Sequence, residues 1–247
     1  MKAVVFGAGG LFGAYHIGAW KVLHRHFDPE LVVGVSIGSL IGWMVACGYP
    51  IEELEREWLS GDRYQRPRPR IPYSPLHGLL NPKSVHAMMR EMVEKLRPKL
   101  RYAAVACSLP KLETVVYEAP SITWRHLAAS CAVPLMYDAQ RIDGKILVDG
   151  GLRDTCPLHV ARDLGATSIL GLDCWKQAGG RFRRGHDSFR IGTPEFLGSR
   201  SDAFLWKRAN IERWIAQGER DAGDAVEAGE IDRLTQISEK TFTGKMF

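Results

Sequence analysis

Much of what would place this chain quickly in a class is missing from it. Its five cysteines, Cys47, Cys107, Cys131, Cys156 and Cys174, are odd in number and never spaced C-x-x-C. Neither a disulfide scaffold nor a zinc site is supported, and the thiols read as small buried apolar groups of a reduced compartment. No apolar run approaches the roughly 18 residues that cross a bilayer. The opening MKAVVFGAGG meets glycine too soon to be the apolar stretch of a signal peptide, and reads as a first strand. The expectation is a soluble, cytoplasmic protein whose membrane contact, if any, is peripheral. Charge of one sign is also scarce: the net charge is +5 with a pI near 9.0, too mild and dispersed for a nucleic-acid partner. Two local basic clusters stand out, Arg63, Arg66, Arg68 and Arg70 among prolines, and Arg181, Arg183 and Arg184 after a Gly-Gly. They read either as solvated loops or as a rim meeting anionic headgroups. There is no internal repeat and no clear boundary, so residues 1–247 read as one domain.

What is present is an ordinary globular composition, 45% apolar and 25% charged over 247 residues, enough to bury a sizeable core. Continuous apolar runs at 2–6, 31–35, 102–108, 114–119, 145–149 and 167–173 predict strands. Helical patterns fall between them at 14–26, 36–48, 51–60, 83–97, 122–132 and 156–166, and a last helix at 202–227. The Pro- and Arg-rich stretch 61–82 predicts an irregular excursion, a candidate lid, and 175–200 predicts loop. Strands buried on both faces alternating with helices mean an α/β fold with a largely parallel central sheet.

Three glycine sites suit chemistry. GAGGLFGAYHIG, residues 7–18, lies between strand and helix, where backbone N–H groups can face a negative charge: a phosphate, or the oxyanion of a tetrahedral acyl intermediate. A dinucleotide fingerprint would need glycine in place of Ala8, and no Lys-Ser/Thr follows for a P-loop, so a nucleotide-binding protein is the less favoured reading. GVSIG, residues 34–38, has the flanks of a nucleophile elbow: LVVGV as the strand, SLIGWMVACG as the helix, and small residues where the chain crowds the turn. On that reading Ser36 is the reactive group; the alternative is a small residue at a strand-to-helix corner. KILVDGG, residues 145–151, sets Asp149 at a strand end before two glycines. In a parallel sheet the carboxyl ends of strands share one edge, so Ser36 and Asp149 can meet there, and a partly desolvated carboxylate can take the serine proton. A histidine base is the alternative. Of His77, His86, His126, His159 and His186, all after Ser36, only His186 in the loop 175–200 is a plausible candidate.

The order of these sites resembles the patatin-like phospholipase family, and the resemblance extends through ASCAVPLMYDAQRIDGKILVDGGLRDTCPLHVARDLGA, residues 129–166, covering about 3–173 in all. It implies a three-layer α/β/α sandwich and a serine acyl-ester hydrolase with no metal or organic cofactor. Position by position, Ser36 is expected as nucleophile and Asp149 as general base, with the amides of Gly9, Gly10 and Leu11 as oxyanion hole. Acyl esters or phospholipids are the expected substrates. An acyltransferase would use the same residues, and a weakly catalytic member would bind acyl groups without turning them over. Two positions depart from the pattern: Phe12 stands where a basic residue is common, and Ala8 where a third glycine is. Phe12 removes a positive charge near the site and bears on how the loop is anchored.

Overall fold

KAVVF and LVVGV are short, rich in valine and free of charge beyond Lys2, so as neighbouring strands they are buried on both faces. The computed structural model describes residues 1–61, 68–176 and 182–243. Arg63, Arg66, Arg181 and part of the expected excursion therefore lie outside the described residues. The strands are β1 (Lys2–Phe6), β2 (Leu31–Val35), β3 (Arg101–Leu109), β4 (Glu113–Glu118), β5 (Gln140–Ile142), β6 (Lys145–Asp149), β7 (Ser168–Lys176), β8 (Phe182–Arg184) and β9 (Ser188–Thr193). The helices are α1 (Ala14–Leu23), α2 (Ile37–Ala46), α3 (Ile51–Ser60), α4 (Lys83–Lys95), α5 (Trp124–Ser130), α6 (Leu158–Asp163), α7 (Arg208–Glu227) and α8 (Glu230–Thr243).

One sheet runs β5-β6-β3-β2-β1-β7-β9-β8, with β4 paired to β3. Its centre, β3-β2-β1-β7-β9, is parallel. Side chains alternate along each strand. Val4, Phe6 and Val32 join a core with α1, α2 and α7, while Ala3, Val5, Leu31, Val33 and Val35 meet the short α6 on the other face. The three layers expected from sequence are there, but unequal, with one face covered almost entirely by the other helices.

Two expectations change. The region 175–200, expected as loop, holds β8 and β9, and β9 extends the parallel sheet beside β7. More consequential for the site, β6 is antiparallel to β3, not part of a parallel set sharing one edge. Residues 103–105 of β3 pair with both β2 and β4, and 106–108 with both β6 and β4. Hence β2 and β6 occupy the same edge of β3, one along its first half and one along its second. They abut C-terminus to C-terminus: Val35 lies opposite Val105 and Asp149 opposite Ala106.

The helix α7 crosses α1 at backbone contact. A Cβ on Gly18 would stand 1.9 Å from the Ile215 carbonyl oxygen, and one on Gly218 would stand 2.1 Å from that of Tyr15. Both distances are inside any van der Waals limit, so a methyl group at either position must push the helices apart. Gly18→Ala is expected to lower unfolding free energy by more than about 2 kcal/mol in urea titration. A wild-type midpoint would mean that the two helices are not this close.

Candidate active site

The turn from β2 to α2 is forced by its glycines. A Cβ on Gly38 would lie 2.1 Å from the Phe6 carbonyl oxygen, and one on Gly34 would lie 2.4 Å from that of Gly38. Between them Ser36 sits at φ 55, ψ −128, a conformation L side chains rarely adopt and one that costs about 1–3 kcal/mol. Buried polar groups hold it there. Its N–H donates to Ser130 Oγ at 2.9 Å, and Ser130 Oγ in turn donates to the Val105 carbonyl at 2.7 Å. The Ser36 carbonyl accepts from Ser39 Oγ at 2.7 Å and from the Cys131 thiol at 3.1 Å. Tyr102 completes the set by donating to the Ser39 carbonyl at 2.6 Å. Sequence reading did not single out Ser39, Tyr102, Ser130 or Cys131 as parts of the site. Only the small-residue run ASCA hinted that the chain approaches the elbow closely there.

The end-to-end meeting of β2 and β6 delivers Asp149 to this serine. Ser36 Oγ donates to Asp149 Oδ2, and the Gly151 N–H donates to Oδ1 at 2.7 Å. The carboxylate is 4% exposed. Burial pushes its pKa up to about 6, against the downward pull of the Ser36 and Gly151 hydrogen bonds. An acid poised there ionises near neutral pH and can still hold a proton when given one.

The glycine loop lies on the same rim. Gly10, at φ 58, lines the space above Ser36. Among the described residues the N–H groups of Gly9 and Gly10 have no hydrogen-bond acceptor. That of Leu11, expected as a third free amide, instead donates to the Ala203 carbonyl at 2.8 Å. The expectation for Leu11 is corrected accordingly: the segment before α7 occupies that amide. Ala8 is not at positive φ, so its side chain is accommodated. Phe12 turns inward, 2% exposed, edge-on to Trp175 at 5.7 Å and to Trp214 at 4.9 Å between ring centroids. Where a basic residue is common, this chain anchors the loop by aromatic packing.

A cavity of about 210 Å³ opens from Ser36 between α2, α4 and the turn before α7. Its walls are mostly apolar, including Leu40, Met44, Met88, Met92, Val133 and Trp206. No histidine lines it, and His186 is exposed at the β8–β9 turn, well placed for solvent and not for Ser36. No group of His, Cys, Asp and Glu among the described residues is arranged to hold a metal. Of the candidate lid, Gly61 and residues 68–82 are described; Gly61 lines the cavity, and the later stretch runs beside the segment carrying Val133 and Tyr137, through hydrogen bonds from Leu79 and Leu80 to the Leu135 and Met136 carbonyls.

The sequence profile of patatin-like phospholipases matches residues 4–162. Patatin-like phospholipase domain-containing protein 6 of Mus musculus is 31% identical over 188 residues, covering 71% of this chain and 14% of that protein. Its Homo sapiens counterpart is also 31% identical, with 13% of its length covered. An NTE family protein of Mycobacterium tuberculosis is 27% identical over 160 residues, 63% of this chain and 44% of that protein. This chain thus spans only about a seventh of the length of the mammalian relatives it matches. Among solved structures, VipD from Legionella pneumophila superposes with a TM-score of 0.48 at 11% identity, covering 90% of this chain and 67% of that one.

The raised pKa of Asp149 has a stability consequence with a definite sign. In the unfolded chain the carboxyl ionises near 3.8, in the fold near 6, so the folded state loses stability as pH rises between those values. About two units correspond to about 3 kcal/mol withheld above pH 6. Asp149→Asn, which keeps the acceptor for Gly151, is expected to raise the thermal midpoint at pH 8 and to leave it near wild type at pH 4. Scanning calorimetry at the two pH values reads the difference; an equal shift at both would mean that ionisation is not the cause.

Proposed function

The chain belongs to the patatin-like phospholipase family, and from that footing we propose that it is a serine hydrolase of lipid acyl esters working through Ser36 and Asp149. The observation that carries the reading is the buried hydrogen bond from Ser36 Oγ to Asp149 Oδ2 at the floor of an apolar cavity. An acyl chain fits such walls by burying its methylenes, about 0.8 kcal/mol each, and brings its ester carbonyl to the serine.

In the proposed reaction Asp149 takes the proton of Ser36 as Oγ bonds to the carbonyl carbon. The negative charge on the carbonyl oxygen is met by the amides of Gly9 and Gly10, with Leu11 available only if the Ala203 contact opens. Collapse breaks the bond to the leaving alcohol, which receives the proton from Asp149. Water then enters, gives a proton to Asp149, and attacks the acyl-serine. Collapse of the second intermediate frees the fatty acid, and Asp149 returns its proton to Ser36. No step calls for an imidazole, because the acid is already close to neutral pH in its ionisation. The Ser36–Asp149 arrangement favours the hydrolase over a mere binding role: acyl binding alone does not require a serine held at a strained φ beside a buried carboxyl whose pKa is raised.

A fluorophosphonate probe should label the wild type and leave Ser36→Ala unlabelled, with Asp149→Asn lowering short-chain ester turnover by at least about 10²-fold. Failure of the wild type both to label and to turn over a p-nitrophenyl ester sinks the hydrolase reading. Separately, kcat/KM on a soluble ester should rise as Asp149 ionises, with a midpoint near 6 and a plateau above it. A rate that is flat from pH 4.5 to 8 would remove Asp149 as the base.

A further inference from the structure

Residues 68–81 fold into a narrow ribbon, closed by the Pro69–Leu80 bridge and by hydrogen bonds from Arg70 N–H to the Leu79 carbonyl (2.8 Å) and Asn81 N–H to the Arg68 carbonyl (2.9 Å). The ribbon is pinned to the segment 135–139. Leu79 N–H donates to the Leu135 carbonyl at 2.8 Å, Leu80 N–H to Met136 at 3.0 Å, and Ala139 N–H to Leu76 at 2.9 Å. Asp138 accepts from the Gly78 N–H at 2.9 Å and pairs with Arg70. Main-chain polar groups here are well used, yet the apolar side chains are not buried. Ile71 is 92% exposed, Tyr73 81%, Leu135 75% and Leu79 49%. Leu135 is moreover held at φ 67, a costly conformation for a leucine, with its side chain in solvent.

Folding gains nothing from these exposures, and together they form the kind of apolar surface that marks an interaction site. We infer that this face docks on a bilayer carrying anionic headgroups, with Ile71, Tyr73, Leu79 and Leu135 entering the interfacial zone. Three observations select that occupant. Arg68 and Lys83 are exposed at the edges of the patch, while the Asp138 carboxylate in the segment beside it is engaged by Arg70 and the Gly78 N–H, which leaves these two cations facing solvent. The overall charge, +5, has the same sign. The patch is also continuous with the cavity mouth: Val133 and Tyr137, two residues to either side of Leu135, line the cavity, as do Ser84 and Val85 next to Lys83. A lipid leaving the bilayer at this face reaches Ser36 without its chain crossing water. The choice of a bilayer rests on the lipid-ester reading above; the existence of the surface does not.

The test is co-sedimentation of the full chain with phosphatidylcholine vesicles, with and without phosphatidylglycerol, and it needs no turnover. Wild type should sediment with the anionic vesicles. The double variant Ile71→Asp/Leu135→Asp should lose at least about tenfold in affinity, at an unchanged thermal midpoint, because aspartate tolerates the left-handed conformation at position 135. Arg68→Gln/Lys83→Gln should lose about fivefold per charge on anionic vesicles only. A wild type that stays in the supernatant, or an aspartate double variant that sediments like it, overturns the proposal. So does a concentration-dependent dimer abolished by the same substitutions in a chain that vesicles do not retain, which would make the face a contact between copies. If vesicles bind but Ser36 never labels, the docking face stands and the catalytic reading alone falls.

Discussion

The site depends on two strands sharing one edge of a third. Strand β3 is nine residues long, and β2 covers only its first half, leaving hydrogen-bonding groups from Ala106 onward to be satisfied. An unpaired buried edge is costly, and β6 meets that need by running in from the opposite direction. Because the strands meet at their carboxyl ends, the residue after β2 and the last residue of β6 face each other. That residue pair is Ser36 and Asp149. Their contact is therefore a product of backbone pairing, not of two flexible side chains finding each other. Register matters as well: a slip of one residue in β6 would turn Asp149 to the other face of the sheet.

Two costs are concentrated at this junction. Ser36 is held at a strained dihedral pair, and Asp149 is a carboxyl taken out of water. Both are offset by the rest of the fold: the Ser130–Val105 and Tyr102–Ser39 hydrogen bonds lock the elbow, and the sheet core on either side excludes water. Burial raises the pKa of Asp149 toward neutrality while the Ser36 and Gly151 donors restrain the rise. The balance leaves a group able to accept a proton from an alcohol and return it, the property a two-residue mechanism requires in place of a histidine.

How much of this was legible in the sequence follows from which forces are local. The β2–α2 elbow is local: strand, serine, flanking glycines and helix are contiguous, and Gly38 is required by an approach the pentapeptide already implies. The bounds of β1, β2 and β6 follow from short runs of valine, isoleucine and leucine ended by glycine or serine. The direction of β6 was not legible, because a five-residue apolar strand reads the same whichever neighbour it pairs with. Strand β9, SFRIGT, was hidden by the glycines and arginines before it, although Phe189 and Ile191 alternate as a strand should. The Leu11 amide was misjudged for a different reason. Its partner is the main-chain oxygen of Ala203, and a carbonyl carries no sequence signature.

That last contact changes what the C-terminal part of the chain is for. The family resemblance ends near residue 173, yet α7 packs on α1 through facing glycines, Trp214 closes on Phe12, and Ala203 holds Leu11. All three act on the loop whose amides are proposed to meet the oxyanion. A basic side chain at position 12 would replace a buried ring packed edge-on to Trp175 and Trp214, and would have to take its charge out of water there. Phenylalanine at 12 and the tryptophans at 175 and 214 are thus one device, and the device makes the shape of the loop depend on α7. The glycine loop is local in sequence, but the positions of its amides are set by residues about two hundred positions away.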